Sequence, residues 1–282
     1  MKRIEQALER AREEALRDDV RPTKREPTLR SSASEGEPIP TRSPSGVRRT
    51  TALPQRRVRS LRSDVVERNR LRLGHEADAT AQAYRVLRTR TLQWLDAHGR
   101  STVAMISASD GDGKTLSAAN LALSIANDTN HTVLLVDFDL RSPSVHECFG
   151  LDVVQGLERF FAGEAKLEEL IVSVNHPRLA VLPCLKPVAS ASELLTSAVV
   201  RELVVELESR YADRVVIFDL PPALSGDDAI AFLPLVDAAL VVIGEGSTRR
   251  EQLERLSDVL RDTPVIGSIL NRASRTIDPF YG

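Results

Sequence analysis

The chain has 282 residues, 42% of them hydrophobic and 28% charged, a composition that excludes a fibrous or wholly disordered protein. Its two cysteines, Cys148 and Cys184, match no close metal-binding spacing, and they point to a reducing compartment rather than a disulfide scaffold. The net charge of −2 is unevenly spread, because residues 21–62 carry eleven Lys/Arg against three acidic groups while the rest of the chain is acidic.

Residues 2–17 place Ile4, Leu8, Ala11 and Ala15 at helical spacing, which predicts a short helix too marginal to stand alone. Residues 18–63 turn to Pro, Ser, Thr and Arg, with Pro22, Pro27, Pro38, Pro40, Pro44 and Pro54 breaking any regular element. This reads as a disordered basic linker. No aromatic residues interleave its arginines, which argues against nucleic-acid stacking. No apolar run approaches the ~20 residues that cross a bilayer, so no transmembrane segment is expected. The N-terminus lacks the apolar core of a signal peptide, so a cytoplasmic protein is expected.

Residues 64–275 read as one folded domain, followed by a tail at 276–282. A helix is predicted over 78–97. After it, β-rich runs at 102–107, 132–136, 179–183, 215–218, 238–243 and 265–270 alternate with helical patterns at 116–126, 192–210 and 248–261. Several of these runs are Val, Ile and Leu throughout, as in strands covered on both faces. The alternation predicts an α/β fold, a mostly parallel twisted sheet with helices on both faces.

The run 102–107 leads into ASDGDGKT at 108–115 and then into a helical pattern, the strand–loop–helix context of a P-loop. Gly111 and Gly113, flanking Asp112, let backbone N–H groups turn inward around phosphate oxygens. The helix beginning near Lys114 points its positive end at the same anion. Lys114 spans the β- and γ-phosphates of ATP, and the Thr115 hydroxyl is placed to ligate Mg²⁺. The first position of the pattern is Ala108 instead of glycine, which the turn tolerates only with a negative φ. VLLVDFDLR ends an apolar strand on Asp137 and Asp139, and VVIFDLPPA ends another on Asp219. In an open α/β sheet all three converge beyond the carboxyl ends of the strands, where a hard Mg²⁺ ion takes carboxylate, water and phosphate oxygens.

These three segments resemble the Walker A, Walker A′ and Walker B motifs of the bacterial tyrosine kinases. QAYRVLRTR, QGLERFFAGE, SASELLTS and VIGSILNR add to a resemblance that covers about residues 77–272. It is similar to the stand-alone cytoplasmic kinases of capsule and exopolysaccharide loci, including those of the exosortase type. The resemblance implies transfer of the ATP γ-phosphoryl group to tyrosine, regulation of polysaccharide export, and a membrane activator of the chain-length-determinant kind that holds the kinase at the inner face of the membrane. It implies that Lys114 and the loop amides hold the phosphates and that Thr115 and Asp219 serve Mg²⁺. Asp137 would accept the tyrosine proton and Asp139 would position the ion, two roles open to exchange. Asn271 stands where related proteins read adenine, although a strand-end turn residue is an equal reading. Gln82, Arg85 and Arg88 occupy the family's E-x-x-R-x-x-R oligomer motif, with Gln in place of Glu. Where the family carries a tyrosine cluster this tail has only Tyr281, the expected autophosphorylation site. Two other readings stand beside the kinase. One is a partitioning or division-site switch ATPase, which would carry a lysine where this chain has Ser109. The other is an ATP-binding regulatory subunit that transfers no phosphate.

Overall fold

The computed structural model describes residues 58–73, 78–209 and 213–274. The helix expected at 2–17, the linker as far as residue 57, Tyr211 and the tail bearing Tyr281 lie outside them. Along the chain come α1 Ser63–Arg68, α2 Ala79–His98, β1 Thr102–Ser107, α3 Lys114–Ala126, β2 Thr132–Asp137 and α4 Val145–Phe149. Next are α5 Leu157–Phe161, α6 Leu167–Leu170, β3 Val172–Ser173, β4 Leu179–Leu182, α7 Ala191–Leu195 and α8 Ala198–Ser209. The chain continues with β5 Arg214–Asp219, α9 Asp228–Phe232, β6 Ala238–Gly244, α10 Arg250–Val259 and β7 Val265–Asn271.

The strands form one sheet in the order β3-β4-β2-β5-β1-β6-β7. Every neighbouring pair is parallel except β3 with β4. β1, β2 and β5 are buried at every position, as continuous apolar runs require when both faces are covered. Strand alternation divides their side chains between two cores. Val103, Met105, Val133, Leu135 and Ile217 face Leu92, Leu95, Leu121 and Ile125 of α2 and α3. Ala104, Ile106, Leu134, Val136 and Phe218 face Val200, Leu203, Leu207 and Phe232 of α8 and α9.

Three features depart from the sequence pattern. The helical pattern at 192–210 is two helices, because Thr196 turns its hydroxyl back to the Glu193 carbonyl (2.9 Å) and Ser197 Oγ accepts from Val200 N (3.4 Å). Such hydroxyls offer the backbone an alternative to the helical bond and start a new helix. β7 lies at the end of the sheet, which leaves Val265 and Leu270 exposed. Pairing with the sheet begins at Arg59, inside the segment read as linker: Arg59 N donates to Ser173 O (2.9 Å) and Asn175 N to Arg59 O (2.7 Å). Among the described residues no helix is long and apolar enough to cross a membrane.

Candidate nucleotide and phosphotransfer site

The parallel order puts the carboxyl ends of β1, β2 and β5 side by side, and the loop 108–113 turns above them into α3. Gly111 (φ 77°) and Gly113 (φ 94°) adopt left-handed backbone, where a side chain strains the chain. Ala108 does not, so the turn forms without its first glycine. At Gly113 a Cβ would also lie 2.0 Å from Asn271 Nδ2. That amide donates to the Asp112 carbonyl at 2.8 Å, so Asn271 at the end of β7 bonds the loop directly.

Asp112 is buried and anchors the loop. Its carboxylate accepts from Ser109 N (3.2 Å), Ser247 Oγ (3.0 Å) and Thr248 Oγ1 (3.0 Å). Gln252 of α10 donates to Ser109 Oγ at 2.7 Å. Ser247, Thr248 and Gln252 carried no motif signal, and only the closeness of β6 to β1 makes them neighbours of the loop.

Lys114 opens α3 and, though only 7% exposed, lines a cleft of about 680 Å³ with Asp110, Gly111, Gly113, Thr115 and Asn271. The Thr115 hydroxyl donates to Asp219 Oδ2 at 2.6 Å and lies 3.1 Å from Ser144 Oγ. Asp219 and Asp137 are register partners on β5 and β2. Backbone N–H groups of Ser144 and Val145, at the start of α4, hold Asp137 Oδ2 at 3.0 and 2.9 Å. The other oxygens, Asp137 Oδ1 and Asp219 Oδ1, are buried with no hydrogen-bond partner among the described residues. Two unpartnered carboxylate oxygens cost several kcal/mol between them unless a cation, a proton or water satisfies them.

Burial is the largest influence on all three aspartates. It raises Asp219 to about 6 against the pull of Lys114 and Thr115. It raises Asp137 well above the ordinary carboxylate range, with the Asp219 charge adding to it, and raises Asp139 as well. Among the described residues no three His, Cys, Asp or Glu side chains form a metal cage. A cation here fits only with oxygens supplied by a nucleotide, as Mg²⁺ on a P-loop does. The hydroxyl of Thr115 and the Asp219 carboxylate bonded to it are the right donors for such an ion.

The geometry separates Asp137 from Asp139. Asp137 is fully buried and does not reach the cleft, whereas Asp139 lines it. Asp139 also lines a second pocket of about 70 Å³, walled by Asp110, Arg141, Pro221, Pro222 and Asp228. Arg141 holds Asp228 through both Nε and Nη2, with Nη2 also donating to Ser192 Oγ at 2.8 Å. That pairing lowers the pKa of Asp228. SASELLTS and the Walker A′ arginine thus meet at one corner, which their sequence separation concealed.

The expected oligomer residues lie on α2. Arg88 Nη1 donates to the Ser124 carbonyl of α3 at 3.0 Å, and Gln82, Arg85 and Arg88 are all half-buried. Tyr84 packs beside Ser117 and Asn120, with burial pushing its hydroxyl above the ordinary value.

The sequence model of the AAA domain family matches residues 100–262. The chain is 31% identical over 228 residues to the tyrosine-protein kinase YwqD of Bacillus subtilis, covering 80% of this chain and 94% of that one. Among solved structures, the VpsO kinase domain is 30% identical with a TM-score of 0.60, covering 67% of this chain and 95% of that one. The septum site-determining protein MinD of Pyrococcus horikoshii, solved with Mg-ADP, is 25% identical with a TM-score of 0.52, covering 64% and 74%.

Proposed function

The chain belongs to the bacterial tyrosine kinase family, and from that premise we propose how its residues carry the γ-phosphoryl group of ATP to tyrosine. It is an ATP-dependent protein-tyrosine kinase on a P-loop fold. The observation that carries the phosphotransfer reading is Asp139, which lines both the nucleotide cleft and the second pocket. A carboxylate on a wall shared by donor and acceptor suits transfer to a protein hydroxyl.

In this reading the loop amides and Lys114 hold the β- and γ-phosphates, and Asn271 fixes the loop and meets the base side of the nucleotide. Thr115 and Asp219 serve Mg²⁺, directly or through its water, with one of Asp137 and Asp139 beside them. When bound, that ion neutralises charge on the phosphate oxygens and orients them for in-line displacement. Asp137 and Asp139 share the two carboxylate roles that the sequence leaves exchangeable, and the geometry favours Asp139 as the group that orients the acceptor. The tyrosine hydroxyl enters past Pro221, gives its proton toward the Asp139 carboxylate, and its oxygen takes the phosphoryl group as ADP leaves. With a tyrosine pKa near 10, the carboxylate contributes mainly by orientation.

We assign the acceptor to Tyr281 of the tail, reaching the active site of a neighbouring copy. We further assign the kinase to capsule or exopolysaccharide export, held at the inner face of the membrane by an activator of the chain-length-determinant kind. Assembly through Gln82, Arg85 and Arg88 would have to draw Arg88 off Ser124. A lysine at position 109 would serve a switch ATPase; here Ser109 is tied to Gln252, which disfavours that reading.

The test is phosphotyrosine formation by purified protein with Mg-ATP. Lys114→Ala abolishes it, and Tyr281→Phe removes most of it. A wild-type protein that stays unlabelled with its activator's cytoplasmic segment present would leave the non-transferring regulatory subunit as the better reading.

A further inference from the structure

Five arginines fall between residues 58 and 73, and their fates divide. Arg59 donates to the Asp152 carbonyl at 2.5 Å, Arg62 pairs with Asp64 at 2.9 Å, and Arg72 pairs with Asp78 at 3.1 Å. The remaining two, Arg68 and Arg70, are exposed, and among the described residues their side chains make no hydrogen bond or ion pair. These same two arginines line the P-loop cleft.

Their backbone is held firmly against the elements that build that cleft. The side-chain amide of Asn120, on the P-loop helix α3, accepts from Arg72 N at 2.7 Å and donates to Arg70 O at 3.3 Å. Between them Leu71 is completely buried. On the other side, Asn69 Nδ2 donates to Cys148 O at 2.8 Å and to Glu147 O at 3.2 Å, at the end of α4. α4 is the helix whose first N–H groups hold Asp137. The segment is therefore fastened to both walls of the nucleotide site, with Arg68 and Arg70 lining the cleft between them.

The backbone at this place is also unusual. Among the described residues four non-glycine residues have left-handed φ, and two of them, Arg70 (52°) and Arg272 (61°), are arginines that line this one cleft. Such conformations are strained and persist where surrounding structure enforces them. Arg272 Nη2 stands 4.0 Å from where a Cβ would be on Gly111, over the phosphate-loop turn. Cations lining the cleft are Arg68, Arg70, Lys114 and Arg272, against Asp110, Asp139 and Glu147.

We propose that Arg68 and Arg70, with Arg272, form a second cationic wall of the nucleotide cleft that binds the phosphates of ATP on the side the P-loop does not cover. This rests on the P-loop reading above and adds a subsite to it, built from residues on either side of the matched AAA domain. A guanidinium offers a planar fork of donors suited to phosphate oxygens, and a fixed backbone reduces the ordering cost of using it. The chain thereby supplies in cis the kind of charge that many P-loop enzymes receive from a partner.

The test is equilibrium binding of ATP and ADP, with Mg²⁺, to the full chain and to Arg68→Ala, Arg70→Ala, the double variant, Arg70→Lys and Lys114→Ala. The double variant is expected to weaken ATP binding 10- to 100-fold and to make it less sensitive to salt, with Arg70→Lys in between and urea melts of the apo forms unchanged. Unchanged ATP affinity in the double variant overturns the inference. So does unchanged ATP affinity with a raised KM for the tyrosine acceptor, which would assign these arginines to the acceptor. If Lys114→Ala also binds ATP as the wild type does, the P-loop reading itself falls. If Lys114→Ala alone loses binding, only the arginine wall falls.

Discussion

Asp137 and Asp219 sit opposite one another in register on neighbouring parallel strands, and each keeps one buried oxygen without a partner. The pair is a standing electrostatic cost that a cation, a proton or water relieves. Asp219→Asn removes one charge and keeps an oxygen for Thr115. The sign follows from the shift. Because the folded pKa of Asp219 is about 6 against 3.8, protonation stabilises the fold fully below ~4, and that contribution is lost as pH rises through about 6. Asp219→Asn escapes the loss. Urea melts of the apo protein should show the variant more stable by about 1–3 kcal/mol at pH 7.5 and no more stable at pH 4. The variant should also lose most of the stabilisation that Mg-ATP gives the wild type. A variant less stable than wild type at pH 7.5 would contradict the assignment.

Gly113 is under two separate constraints, its φ of 94° and the 2.0 Å approach of Asn271 to any Cβ. Gly113→Ala should destabilise the protein by about 1–3 kcal/mol and abolish ATP binding. The two parts separate in a double-mutant cycle. Adding Asn271→Ala relieves the collision but not the backbone strain, so part of the stability should return and tight ATP binding should not. Additive effects of the two changes, read from urea midpoints, would show that they do not meet.

How much of this was legible follows from where the contacts lie. The P-loop and the three aspartates are each written in a stretch of under ten residues, because a strand end, a turn and a helix start are local. Five of the six longer strands were readable for the same reason, since burial on both faces forces runs of Val, Ile, Leu and Ala, whereas β7 at the sheet edge is only partly covered. Ser247, Thr248 and Gln252 support the loop from some 135 to 143 residues away. Nothing in their own neighbourhoods distinguishes them from helix-cap residues. Arg59 was read as linker because one parallel bridge to Val174 needs no strand pattern of its own. Asp137 and Asp139 look interchangeable in VDFD, but strand alternation and the turn after β2 bury the first and open the second.

Cys148 and Cys184 both have thiols pushed up to about 12, chiefly by burial and further by the Asp137 charge. At pH 8 only roughly one molecule in 10⁴ carries the reactive thiolate at either position. The folded protein should therefore react slowly with a thiol reagent, and both cysteines should titrate at once in denaturant. Rapid modification of one equivalent in the native protein would show that the environment of that thiol differs from the one described.

Asp139 offers the sharpest division between binding and transfer. It lines both pockets, while Lys114 and Thr115 line only the larger cleft. Asp139→Asn keeps the volume and one oxygen, including the group that accepts from Ser142 N at 3.0 Å. If the carboxylate orients the acceptor, phosphotyrosine formation should fall by about 10²–10⁴-fold. ATP affinity should stay within a few-fold of wild type. Asp219→Asn should behave in the opposite way, weakening Mg-ATP first. Measuring the ATP dissociation constant and the single-turnover rate on both variants separates the roles. A large loss of ATP affinity in Asp139→Asn, with the turnover rate at saturating ATP unchanged, would move Asp139 to the metal and return the acceptor role to Asp137.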